Sequence, residues 1–234
     1  MQRAIDLAKL GAGMVSPNPM VGAVIVHQDK IIGEGYHQKY GEAHAEVNAI
    51  NYVLQKYADA EKILQESTIY VSLEPCSHFG KTPPCADLIV KHKIPHVVIG
   101  CIDGNEKVKG KGVEKLTSAG IKVEVGILDK ECIDLNKRFF TSLTKQRPYI
   151  ILKWAQTNDG FFAPDDESQF WISSKTAQTM VHQWRTEEDC ILVGKNTAKI
   201  DNPQLNVRLV NGRNPKRAVI DRDLSLPKDL FLMD

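Results

Sequence analysis

The chain has 234 residues, 42% of them apolar and 25% charged, a balance that excludes a disordered, collagenous or coiled-coil protein. Lys+Arg 30 against Asp+Glu 29 leave a formal charge of +1, so no global field favours nucleic acid or an anionic membrane. At roughly 150 residues per domain the length is one and a half domains, an awkward fraction.

Residues 3–12 read as a helix with Ile5, Ala8 and Ala12 on one face, ended by Ser16-Pro17-Asn18-Pro19. Strand-like runs at 21–26 and 30–35, separated by Gln28-Asp29, predict a hairpin. A helix follows over 44–57, then a β-branched strand at 68–73. Pro83-Pro84 opens a helix over 84–92. A strand at 97–100, a helix at 112–119 and a strand at 121–125 complete an α/β layered pattern. The pattern restarts near residue 146, with an apolar strand expected at 149–154, a helix over 174–186, and strands at 191–193 and 217–221. No apolar run approaches the ~20 residues of a membrane span. The first residues lack the pattern of a secretion signal, so the expected location is the cytoplasm. There the five cysteines are expected as thiols, metal ligands or catalytic groups.

The residues that carry chemistry are His44-Ala45-Glu46, Pro75-Cys76 and, nine residues on, Cys85. One histidine and two cysteines suit Zn²⁺, and three protein ligands leave the fourth tetrahedral position open, as in catalytic sites. Glu46 is placed to shuttle a proton from water to a leaving group. Helix starts at His44 and at Pro84-Cys85 would aim free N–H groups at thiolates. Two other readings stand beside this one: a Cys76–Cys85 disulfide, and a structural zinc with His78 as fourth ligand. The pattern resembles the zinc-deaminase signature H-x-E with a later P-C-x-x-C. Here eight residues rather than two separate the cysteines, and that insert brings His78 and Lys81 beside the site.

The segments 16–22, 33–37, 44–46 and above all 73–85 resemble the bifunctional riboflavin-biosynthesis deaminase/reductase family. The resemblance implies a three-layer cytidine-deaminase-like domain over 1–145, then part of a dihydrofolate-reductase-like α/β domain over 146–234. It implies deamination of 2,5-diamino-6-ribosylamino-4(3H)-pyrimidinone 5′-phosphate, followed by NADPH reduction of the ribosyl group. By this match His44, Cys76 and Cys85 hold zinc and Glu46 is catalytic, while Asn18, His37, His78 and Lys81 contact the deaminase substrate. Asn18 offers a donor and an acceptor to a pyrimidinone edge, and Lys81 a point charge to a phosphate.

The segment 153–160, with 171–173, 182–185 and 193–208, resembles the opening of the reductase. It implies Ala155, Trp171, Thr197, Asp201 and Arg222 on NADP, and Gln169, Arg185, Leu205 and Arg208 on the sugar phosphate. Two arginines suit a phosphate because each guanidinium can grip it with two hydrogen bonds. The family's reductase is about twice as long as residues 146–234, so the chain is expected to deaminate and to reduce poorly or not at all. The nearest alternative is a zinc deaminase of another base, a nucleoside or tRNA. The implied partner is a small molecule, without nucleic acid or membrane, and a homo-oligomer stays open.

Overall fold

A computed structural model describes residues 1–79, 83–105, 109–164 and 170–234. The chain forms two compact units, Met1–Tyr149 and Ile150–Asp234.

The first unit runs α1 (Gln2–Lys9), β1 (Gly22–His27), β2 (Lys30–Tyr36), α2 (Ala45–Lys56), α3 (Ala60–Leu64), β3 (Thr68–Leu73), α4 (Cys85–Lys91), β4 (His96–Cys101), α5 (Lys111–Ser118), β5 (Lys122–Val125), α6 (Asp129–Leu135) and α7 (Lys137–Lys145). Its sheet has the order β2-β1-β3-β4-β5. The β1–β2 hairpin is antiparallel, as is β1–β3, while β3–β4 and β4–β5 are parallel. Gln28 and Asp29 both take positive φ, 48° and 59°, the left-handed pair that suits the twist of a two-residue hairpin.

Helices cover both faces of the sheet. On one face Ala23, Ile25, Ile69, Val71, Val97 and Ile99 pack against Ala49, Ile50 and Val53 of α2, Ile89 of α4 and Leu116 of α5. On the other, α1 places Ala4 and Leu7 against Val24, and Ile5 meets Leu73, Cys101 and Cys132. Each fully buried aliphatic side chain contributes about 1.5–3 kcal/mol relative to exposure. At Gly35 the helix comes so close that a Cβ would lie 2.4 Å from Ala45 O and Ala49 N. A side chain there would push α2 and its first turn away from the sheet.

The second unit holds α8 (Lys175–Glu187), β6 (Cys190–Gly194), α9 (Lys195–Asp201), β7 (Lys216–Ile220) and a 3-10 turn at Phe231–Met233. Among the described residues β6 and β7 form a two-stranded parallel sheet. Ala198, Leu226, Leu230 and Leu232 form its small core, with Val193 and Val219 against them.

Two sequence expectations change. The run 149–154 forms no strand; Ile150, Ile151, Leu152 and Trp154 are exposed. Apolar, β-branched residues favour extended backbone, but a ladder and a buried face make it a strand, and among the described residues this run has neither. The structure also adds α3, α6 and α7, which the apolar spacing did not signal.

Candidate metal centre and active site

His44 is the residue before α2, with extended backbone (φ −74°, ψ 166°), which leaves its ring free to turn from the helix. Cys76 follows the end of β3 through Glu74-Pro75, and Cys85 is the first residue of α4, after Pro84. One ligand atom from each of the three lies within 4.8 Å of the others. Cys85 Sγ is 3.3 Å and Cys76 Sγ 3.7 Å from His44 Nδ1. A tetrahedral zinc with Zn–S and Zn–N bonds of about 2.3 and 2.0 Å sets its ligands on the order of 3.5 Å apart, so the donor set fits that ion. His78, exposed on the loop, does not join this group, and all five cysteines are free.

The Cys85 N–H donates to Cys76 Sγ at 3.3 Å, which favours the thiolate at a helix start. The Cys85 thiol, then His44, draws the Cys76 thiol down to about 4, while Cys85 itself is pushed up by its pairing with Cys76 and by burial. Glu46, one residue into α2, is 3% exposed. Burial, with the Cys76 thiolate nearby, raises its carboxyl to about 7. A carboxyl poised there can accept and release a proton at neutral pH.

Beside the centre lies a cavity of about 290 Å³, lined by Asn18, His37, His44, Glu46, Cys76 and His78, with Asp103, Asn105 and Phe139 completing its walls. His37 Nδ1 lies 3.0 Å from Ala43 O, and Asn18 Nδ2 lies 3.1 Å from His37 Nε2. A carbonyl only accepts, so Nδ1 carries the proton and Nε2 accepts from Asn18. Burial lowers the His37 pKa, in keeping with this neutral form. The contact spends an Asn18 N–H and leaves its side-chain oxygen to accept from a ligand.

Glu74 is 4% exposed and clamps one wall. Its Oε2 accepts from Asp103 N and Gly110 N at 3.2 and 3.0 Å, and its Oε1 from Gly112 N and Val113 N at 2.9 and 3.3 Å. This carboxylate thus satisfies the start of α5 from another element and ties down the segment that brings Asp103 and Asn105 to the cavity. Gly112 is required by that approach, since a Cβ there would lie 2.1 Å from Pro75 O. Sequence reasoning missed Glu74, Asp103, Asn105 and Phe139. Glu74 lies inside the motif that marked Cys76, but its partners are 29–39 residues away.

Of the residues expected in the second unit, Arg185 and Arg208 come together. Arg185 Nη1 donates to Asn206 O at 2.9 Å, and Arg208 Nη1 to Asn206 Oδ1 at 3.1 Å. His182 lies between them, its Nδ1 accepting from Arg208 N at 3.1 Å. Leu205 is buried just before this pair. Ala155 and Trp171 lie outside the helices and strands, Thr197 and Asp201 are exposed on α9, and Arg222 is exposed just after β7. Lys81 and Gln169 lie outside the described residues.

Residues 1–101 match the cytidine and deoxycytidylate deaminase zinc-binding region, and 148–234 match the RibD C-terminal domain. The riboflavin biosynthesis protein RibD of Aquifex aeolicus is 47% identical over 97% of the chain and 62% of its own length. The chain is thus similar to RibD over nearly its whole length. The crystal structure of the Thermotoga maritima diaminohydroxyphosphoribosylaminopyrimidine deaminase/5-amino-6-(5-phosphoribosylamino)uracil reductase has a TM-score of 0.92 and 45% identity, over 99% of this chain and 65% of that one. Acinetobacter baumannii RibD gives 0.91 and 41%, over 99% and 65%. The chain therefore spans under two thirds of the length of these RibD proteins. Its architecture is a cytidine-deaminase-like domain followed by a RibD C-terminal, dihydrofolate-reductase-like domain. No helix among the described residues is long and apolar enough to cross a membrane.

Proposed function

We propose that the first domain, residues 1–145, is a zinc-dependent hydrolytic deaminase. Its substrate is 2,5-diamino-6-ribosylamino-4(3H)-pyrimidinone 5′-phosphate, in riboflavin biosynthesis. The observation that carries this is the grouping of His44, Cys76 and Cys85 beside a buried Glu46 on one cavity. Zinc held by these three residues supplies Lewis acidity and a nucleophile at neutral pH. Glu46 takes the proton of the attacking water and delivers it to the exocyclic 2-amino nitrogen as ammonia departs. Asn18, oriented by His37, accepts from the pyrimidinone edge through its side-chain oxygen, and His78 and Lys81 meet the ribosyl phosphate.

Residues 146–234 are read as the N-terminal part of an NADPH-dependent reductase that acts on the deaminated product. There Arg185, Arg208, Leu205 and Gln169 meet the sugar phosphate, and Ala155, Trp171, Thr197, Asp201 and Arg222 the cofactor. The protein works in the cytoplasm on this small molecule, without a nucleic-acid partner; the near-zero net charge supports that reading.

Ammonia release by the zinc-loaded chain, offered in parallel the diaminopyrimidinone phosphate, cytidine, guanine and RNA, tests the assignment. Turnover confined to the first substrate is expected. Faster release from any other would overturn the substrate assignment, and release without zinc would overturn the metal's role.

A further inference from the structure

The loop that carries Asn18 into the cavity has few backbone hydrogen bonds of its own. Pro17 and Pro19 have no N–H to give, and Asn18 N donates to Val15 O at 2.8 Å. The loop is fastened from a distant part of the chain. Asn136, at the junction of α6 and α7, is 2% exposed. Its Oδ1 accepts from Met20 N at 2.8 Å, and its Nδ2 donates to Met20 O at 2.8 Å. One side-chain amide thus pairs with both backbone groups of one residue, as the peptide of a neighbouring strand would. The contact joins positions 116 residues apart. It sits two residues from Asn18, and α7 continues from it to Phe139 on the cavity wall.

We propose that Asn136 is a positioning residue for substrate recognition: by clamping Met20 it holds Asn18 at the distance from the metal centre that the pyrimidine edge requires. The proposal rests on the deaminase reading above, and its effect runs through Asn18 rather than through the ligands or Glu46. Loss of the clamp is therefore felt in binding more than in the chemical step. Asn136 is buried and Met20 half-buried, so removal of these hydrogen bonds leaves unpaired backbone groups that the loop relieves by shifting. Displacements of about 1 Å at such sites cost up to roughly a hundredfold.

The experiment uses the full chain with zinc bound. Asn136→Leu removes both hydrogen bonds at similar volume; Asn136→Asp keeps the acceptor and removes the donor, and serves should the first variant not fold. For the diaminopyrimidinone phosphate, KM is expected to rise roughly ten- to a hundredfold. Zinc content should be unchanged and kcat should stay within about threefold, a change under the 1.4 kcal/mol that a factor of ten represents. Asn18→Ala added to either variant should raise KM by less than it does alone. Unchanged KM in a folded variant, a fall in kcat with KM constant, or full additivity with Asn18→Ala would each overturn the proposal. Lack of turnover by the unmodified chain would instead strike the deaminase reading. In that case exchange of the Met20 amide decides the clamp: faster exchange in Asn136→Leu, which removes its acceptor, supports it, and unchanged exchange sinks it.

Discussion

Ile25, Ile50, Ile69 and Ile99 of the first unit are fully buried, whereas Leu152, Phe162, Trp171 and Ile220 of the second are 60–78% exposed. Both units are built from apolar, β-favouring segments. The first has a five-stranded sheet with helices on both faces; the second has a parallel pair. The difference teaches that apolar pattern marks a segment's tendency, while the number of neighbouring strands and helices decides its burial. The same contrast governs the sites. In the first unit, several elements converge on one cavity, where buried groups set one another's ionisation. In the second, Thr197 and Asp201 are exposed on α9 and Arg222 just after β7.

The largest effect that would test this contrast is at Glu46. Glu46→Gln should lower ammonia release by roughly 10²- to 10⁴-fold with zinc content, measured by elemental analysis, unchanged; loss of zinc alongside would make Glu46 a structural residue. Next is stability. Ile99→Ala should cost about 2–5 kcal/mol in urea unfolding, and Leu152→Ala should stay within about 0.5 kcal/mol. Equal costs would break the comparison between the units.

Glu74→Gln places an amide against four backbone N–H groups and should cost about 1–3 kcal/mol; faster amide exchange confined to 103–113 would locate the loss. The smallest effect is at the surface. Arg3 donates to both carboxylate oxygens of Glu34 on β2, and this contact holds the Glu34 pKa below its ordinary value. A lowered acid pKa stabilises the fold above the ordinary carboxylate range, and the gain is lost as pH falls through the folded value. The Tm difference between the unmodified chain and Arg3→Gln should therefore be present at neutral pH and vanish in acid. A difference that persists in acid would assign it to packing.

Much of the first unit was legible in the sequence, because its signals are local. The hairpin at Gln28-Asp29, the strand at 68–73 and the helix opened by Pro84 each announce themselves within a few residues. The grouping of His44, Cys76 and Cys85 is legible for the same reason: they are rare residue types at telling intervals. Glu74, Asn136 and Asp103 were not, because their roles are made by backbone groups far along the chain, which leave no periodic trace. The run 149–154 misled for the converse reason: its composition is that of a strand, but among the described residues no ladder reaches it.

The Met20–Asn136 pairing also has a consequence for the order of synthesis. Translation makes the loop at 16–20 more than a hundred codons before its fastening residue. Until Asn136 has left the ribosome, a nascent chain can form the β1–β2 hairpin, yet the loop at 16–20 lacks this fastening. Closing so long a span is slow compared with local pairing. The three residues grouped at the candidate metal centre, by contrast, are all made before Asn136.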